Sequence, residues 1–245
     1  MRFGLIAAAA LYLAAHGPVF AGPPFVTDDP EPVEHRRWEV NYAITETWGN
    51  GDVSAGVPSV DINYGAVPNL QLHAQPRYSY EKSGDEVHSG VDDTEIGVKY
   101  RFLNIGNESS RWMVGVYPMY QLATGVRALG PDRGKRQMFL PLWVQRDTEK
   151  WTIYGGWGYR INPGSGFRNS VFTGATAIYQ LREGLQFGGE LFHETPGTVD
   201  GTAVKGFNLG GIVELTPKYN LLFSAGERSS DQLARSFYVA VQARY

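Results

Sequence analysis

The sequence predicts an all-β protein, a transmembrane up-and-down antiparallel β-barrel of about twelve strands. Three observations predict it. Period-2 alternation of apolar and polar residues recurs from Trp38 to Tyr245, split by Gly, Pro, Asn, Asp and Ser clusters. Aromatic residues make up 13% of the chain, yet mean hydropathy is −0.28. A soluble domain hides its aromatics in a core, whereas a barrel shows them to lipid and still scores as polar, because every second residue faces water. Finally, long polar connections alternate with short ones, as in a barrel with long outer loops and short periplasmic turns.

The chain opens on a leader. Met1-Arg2 is a positive start, the stretch 3–15 is apolar and uncharged, and Val19-Phe20-Ala21 ends on a small residue. This is the three-part pattern of a cleaved secretory signal, so residues 1–21 are expected to be removed and the mature chain to begin at Gly22. No cysteine is present, which excludes a disulfide scaffold and thiol catalysis. No later stretch is apolar for the length of a membrane helix. A net charge of −3 gives no reason to expect nucleic acid as a partner. Residues 22–37 are Pro-rich and acidic, then basic at His35-Arg36-Arg37, and residues 38–245 form one barrel domain.

The expected strands cover 38–48, 56–65, 70–80, 93–103, 111–123, 137–146, 151–161, 170–181, 185–194, 206–215, 219–226 and 236–245. In the first, Val40, Tyr42 and Ile44 oppose Asn41, Ala43 and Thr45; in the last, Val239 and Val241 oppose Tyr238 and Gln242. Long connections fall at 49–55, 81–92, 124–136, 162–169, 195–205 and 227–235, and short ones at 66–69, 147–150, 182–184 and 216–218, with 104–110 intermediate. In lipid an unpaired backbone polar group costs several kcal/mol, so the sheet must close, and an even strand count returns both ends to one side. Pro58, Pro76, Pro118 and Pro141 lie in or beside these strands, where each removes a ladder donor and is expected to mark a bulge or rim.

Two stretches carry a family likeness. Gly22-Pro23-Pro24-Phe25-Val26-Thr27-Asp28-Asp29-Pro30-Glu31-Pro32-Val33 with Trp38-Glu39-Val40, and Gly188-Gly189-Glu190-Leu191-Phe192-His193-Glu194-Thr195, resemble bacterial outer-membrane transporters labelled "MetA pathway of phenol degradation". The resemblance implies a barrel transporter or channel for aromatic or other small molecules. It brings no catalytic residue with it.

The inward-facing set is the first functional candidate: Gln71, His73, Gln75, Arg77, Glu95, Lys99, Arg101, Arg160, Gln186, Glu190 and His193. Charges of both signs on one barrel face make a polar lumen. Either it conducts small solutes, or its salt bridges plug it. The segment 22–37 cannot be a strand. It is either a periplasmic tail or a lumen plug in which Asp28, Asp29 and Glu31 meet Arg77, Arg101 or Arg160 and gate the pore. His193-Glu194 lacks a second metal-binding histidine, and no H-E-x-x-H is present. A lipid hydrolase would need His193 beside Ser170 or Ser224, and no motif connects them. Arg127, Arg133, Lys135 and Arg136, with Asp132 the only acid among them, either hold lipopolysaccharide phosphates or form a solvated loop. Trp38, Trp48, Tyr64, Tyr78, Tyr80, Tyr100, Trp112, Tyr120, Trp151, Tyr159 and Tyr245 sit near strand ends, as interfacial girdles do, while Tyr117, Trp143 and Tyr154 point inward. The expected function is an outer-membrane channel without cofactor or metal. Its expected partners are outer-membrane lipid and lipopolysaccharide, the barrel-assembly machinery and a small-molecule solute. A lipid hydrolase and a non-conducting surface barrel are the alternatives.

Overall fold

The computed structural model describes residues 23–107, 110–130 and 133–245; the expected signal peptide with Gly22, and Asp132, lie outside the described residues. Twelve antiparallel staves form a closed barrel. β1 is Trp38–Gly49 and β2 Asp52–Val67. β3 runs in two pieces, Leu70–Gln75 and Arg77–Ser83; β4 in two, Glu86–Val91 and Thr94–Asn107; β5 in two, Ser110–Val116 and Met119–Leu122. β6 is Gln137–Thr148, β7 Trp151–Ile161, β8 Ser170–Arg182 and β9 Leu185–Glu194. β10 is Val204–Thr216, β11 Tyr219–Ser229 and β12 Leu233–Arg244. Each stave pairs with the next, and β12 closes on β1 in a continuous register from Glu39↔Arg244 to Trp48↔Arg235. Trp38 and Tyr245 exchange N–H···O bonds of 3.0 and 2.9 Å, so the seam ends fully paired. Closure leaves no edge to satisfy in lipid.

The alternation decides which face is which. In β1, Tyr42 and Ile44 are about half exposed, while Asn41, Ala43 and Thr45 between them are buried. The same split holds in β4, where Ile96, Val98, Tyr100 and Phe102 face out and Lys99 is buried. In a water-soluble barrel the apolar set would turn inward; here large apolar side chains cover the outside and polar ones fill the inside, an arrangement stable only in lipid. Trp38, Tyr100, Trp112, Trp151, Tyr219 and Tyr245 band the rim that carries the short turns, and Trp48, Tyr78 and Tyr159 lie towards the rim that carries the loops. Tyr64 packs on Trp38 with ring centroids 4.4 Å apart.

Three expected outer loops are instead strand. Residues 49–55 contain a two-residue turn, Asn50-Gly51, with φ of 52° and 89°. Asn-Gly supplies the left-handed pair that a tight hairpin needs, so the polar run is turn and strand rather than loop. Likewise 81–92 is a hairpin extension turning at Gly84-Asp85, and 227–235 is strand up to Ser229 and again from Leu233. Genuine loops remain among the described residues at 123–130 and 133–136, 162–169 and 195–203.

The four prolines sit at or beside irregularities, each for a ladder reason. Pro58 lies in the register shift between Gly56 and Ser59 of β2. Pro76 separates the pieces of β3, and Pro118 those of β5. Pro141 is inside β6, but its carbonyl accepts from the Tyr117 N–H, so its donor-less nitrogen faces the same break in β5. No ladder N–H is missed there.

Candidate functional site

The lumen holds the chain's own N-terminal segment. Residues 23–37 contain Pro23, Pro24, Pro30 and Pro32, so the segment lacks the donors to join a ladder. Many of its remaining N–H groups find single acceptors. Asp28 Oδ1 accepts from Asp29 N–H at 2.6 Å, and Asp29 Oδ1 from Glu31 N–H at 2.7 Å, two local side-chain turns that bend the segment. The barrel wall supplies others. Glu190 accepts from the N–H groups of Val26 and Thr27, each at 2.8 Å, and Gln71 accepts from Val33 N–H at 2.8 Å. Ser224 donates to the Pro24 carbonyl at 2.5 Å. Near the short-turn rim, Arg36 N–H donates to Gly65 O and Gly65 N–H to Arg37 O. These partners come from β2, β3, β9 and β11, on different sides of the wall, so the segment threads the interior.

Packing fixes the same path. Phe25 is buried against Tyr154 and Ile178. Val26 lies against a cluster of Tyr117, Met119, Phe139, Trp143 and Phe172, with Phe192 beside it. The Phe172 ring meets Phe139 and Trp143 edge-on at 6.3 and 6.2 Å and stacks on Phe192 at 6.3 Å. Two glycines make room: a Cβ on Gly65 would strike the Glu34 carbonyl, and one on Gly174 the Thr27 hydroxyl. Backbone approach that close admits only glycine.

The ion pairs differ from those expected. Lys99 Nζ lies 3.0 Å from Asp28 Oδ1 and 3.5 Å from Asp29 Oδ1. Glu31 Oε1 is 2.8 Å from Arg111 Nη2 and 3.6 Å from Arg101 Nη1. Arg111 also holds the wall carboxylate Asp147 at 2.7 Å. Arg77 and Arg160 do not meet the segment: Arg77 Nη1 is 3.9 Å from Asp92, and Arg160 Nε 3.1 Å from Glu194. Both lie towards the loop rim, Arg77 just past the break at Pro76 and Arg160 one residue from the end of β7.

The other lumen candidates fall into wall networks. His73 Nδ1 is 2.9 Å from Asp61 and its Nε2 3.5 Å from Glu95. Asn63 joins the same network by accepting from Gln71 Nε2 at 2.6 Å. Gln75 accepts from Arg77 at 3.4 Å, and Gln186 Nε2 donates to Gln180 at 2.8 Å. His193 does not line the lumen. Glu190, Phe192 and Glu194 take the inner positions of β9, so Leu191 and His193 between them are exposed on the outside. The hydrolase constellation therefore has its histidine and serines on opposite faces: Ser170 and Ser224 are buried inside, bonded to Glu194 and the Pro24 carbonyl. Of the basic loop, Arg133 is turned inward, with Nε 2.7 Å from Asp92 and Nη2 3.5 Å from Glu81. Lys135 sits over the Phe167 ring at 3.4 Å. Asp93 accepts from the N–H groups of Gly125 and Gly134, strapping the loop across the barrel mouth.

Arg111, Asp61, Asn63, Asn208 and Gly174 were not among the expected site residues. Parity was the available signal for Asp61 and Asn63, which alternate with Val60 and Ile62 in β2. Nothing local marks Gly174 or Arg111 as touching a segment so distant in sequence.

Solved structures share this architecture. An outer membrane channel from Pseudomonas putida F1 superposes with a TM-score of 0.63 at 19% identity, covering 92% of this chain and 100% of that one. The NanC porin gives 0.57 at 8% identity, covering 83% and 98%. The translocator domain of the autotransporter NalP from Neisseria meningitidis gives 0.53 at 14%, covering 87% and 90%. The chain has the fold of outer-membrane β-barrels. No family model and no curated protein sequence matches it. Within that fold, the site is a polar lumen occupied by a tethered segment. Its contacts are hydrogen bonds, ion pairs and the packing of Phe25 and Val26, all of which can be broken without covalent change.

Proposed function

We propose that the chain is an outer-membrane channel for small molecules, exported by a cleaved signal peptide at residues 1–21, whose lumen is gated by the segment 23–37. The observation that carries this is the segment itself. It threads the lumen without being part of the wall ladder, held by polar contacts to Glu190, Gln71, Lys99 and Arg111 and by the packing of Phe25 and Val26. In this reading the short-turn rim faces the periplasm and the strapped loops face outside. The resemblance to phenol-pathway transporters supports small, including aromatic, solutes. The Pseudomonas putida neighbour is described as an outer membrane channel, which supports the same class.

The two stretches that carry the family resemblance meet in space. Val26 and Thr27 of the first donate to Glu190 of the second. The likeness therefore spans one contact, between the gating segment and its anchor on the wall.

The test is single-channel current from the refolded mature protein in a planar bilayer. The intact protein is expected to show a small or intermittent current. Deletion of 22–32 is expected to give a larger, steady one. Equal currents from the two would sink the gate, and silence from both would favour the non-conducting barrel.

A further inference from the structure

Residues 24–27 sit in a bay of the wall. The Phe25 ring is 1% exposed and packs on Tyr154 of β7 and Ile178 of β8. Beside that seat the inner face carries glycines, where no side chain fills the lumen. Gly156 of β7 pairs with Gly174 of β8, and Ile178 pairs with Gly188 of β9, which pairs in turn with Gly210 of β10. All four share the inward parity of Tyr154, Ile178, Glu190 and Asn208. Polar groups stand where the backbone flanking Phe25 meets the wall. Glu190 accepts from the Val26 and Thr27 N–H groups, and Ser224 of β11 donates to the Pro24 carbonyl. Tyr154 and Ile178 also line a cavity of about 930 Å³ that extends to the short-turn rim. A solute in that cavity borders the seat while the segment is still docked.

The segment itself shows what the bay recognises. When residues 24–27 leave, Tyr154 and Ile178 lose a benzene ring, and Glu190 loses the Val26 and Thr27 donors and keeps Asn208. A buried carboxylate short of donors is costly, so an occupant that brings an N–H or O–H is favoured over one that brings none. On the reading that the segment withdraws, we propose that this bay is a binding site for small neutral solutes that join a benzene ring to a hydrogen-bond donor. Residues 24–27 occupy it as a tethered competitor. Arylalkyl amides are the nearest fit. In 3-phenylpropanamide the ring, two methylene carbons and amide retrace the path from the Phe25 ring through its Cα to the Val26 nitrogen. A carboxylate of the same shape sets a second negative charge against Glu190 and is rejected. A bound solute blocks redocking, so it holds the segment out.

The experiment follows protease cleavage within residues 23–37 of the folded, detergent-solubilised mature protein as solute is added. 3-Phenylpropanamide is expected to raise cleavage to a plateau. 3-Phenylpropanoate, which lacks the donor, and propanamide, which lacks the ring, are expected to leave it unchanged. In Phe25→Ala the segment competes less well, so the amide should act at a concentration at least about tenfold lower. Calorimetric titration of Phe25→Ala reads the bay directly even where its basal cleavage is already high. It should show the amide bound at least about tenfold more tightly than the carboxylate, the factor that one charge-assisted hydrogen bond supplies. Heat-shifted gel mobility confirms that the variant is a folded barrel. Cleavage that ignores the amide, equal effects of amide and carboxylate, or equal effects of propanamide would each overturn the site. Conductance is measured separately. A deletion that raises the current while cleavage ignores the amide sinks the site and keeps the gate; amide-driven cleavage with equal currents keeps the site and sinks the gate.

Discussion

Glu190 shows how one side chain in the wall sets the position of a whole segment. Its two oxygens take the N–H groups of Val26 and Thr27, and Asn208 donates to it at 2.6 Å from the neighbouring stave. A carboxylate suits this place because it is acceptor-only, facing three donors. Glu190→Gln keeps the shape but offers an NH₂ where an N–H already points. The change should cost the docked segment about 1–3 kcal/mol. In a bilayer it should lengthen the high-conductance periods of the intact protein; a current trace identical to wild type would show that Glu190 does not hold the gate. Arg111 works differently. It holds Glu31 and Asp147 at once, so release of the segment leaves it paired with the wall. The Glu31 contact is thus detachable at little cost, while Glu190 and Lys99 carry the anchor.

Individual elements are shaped by where the chain lacks a donor or a Cβ. Prolines concentrate in the wall from β2 to β6, where Pro58, Pro76 and Pro118 sit at breaks or register shifts and Pro141, inside β6, faces the break in β5. The expectation of a bulge or break was legible from proline chemistry for Pro58, Pro76 and Pro118; Pro141 departs from it, since it lies within a regular stretch of β6 and loses no bond only because the strand beside it is broken. The hairpin at Asn50-Gly51 was legible too, although reading the polar run 49–55 as loop hid it. β8 carries a cue that could not be read locally. Gly174 looks like any strand glycine, but the Thr27 hydroxyl occupies the space a Cβ would need. Gly174→Val should therefore expel the segment while leaving the β8 pairing intact, since Gly174 pairs with Gly156 and Phe192 through backbone only. The measurement is protease sensitivity of residues 23–37 in the folded barrel. Cleavage should rise sharply in Gly174→Val, and continued protection would contradict the docking.

At the scale of the whole molecule, an inside-out distribution of polarity dictates the environment. Leu209, near the middle of β10, is more than half exposed on the outer face. Leu209→Arg should destabilise the barrel by about 2–4 kcal/mol in lipid, the cost of a cation at mid-membrane depth. His193→Ala, on the same outer face, should leave conductance unchanged. Urea titration in liposomes reads the first. An unperturbed midpoint for Leu209→Arg would mean that this face does not meet hydrocarbon.

Strand number and facing follow from local alternation, because a side-chain period of two is a property of each strand by itself. That is why twelve staves, the outer aromatic bands and most of the lumen set, from Gln71 to Glu190, are legible in the order of the residues. His193 was the exception, and the same parity rule, counted from Glu190, excludes it. Contacts across the lumen obey no such period. Whether residues 23–37 hang free or thread the barrel depends on Glu190, Lys99, Arg111 and Gly174 arriving on different sides of one closed wall. Their positions relative to the segment are set by closure and register, which exist only once the whole sheet has formed. The sequence by itself determined a membrane barrel with a polar interior; the tertiary structure decided what occupies that interior and which side chains hold it there.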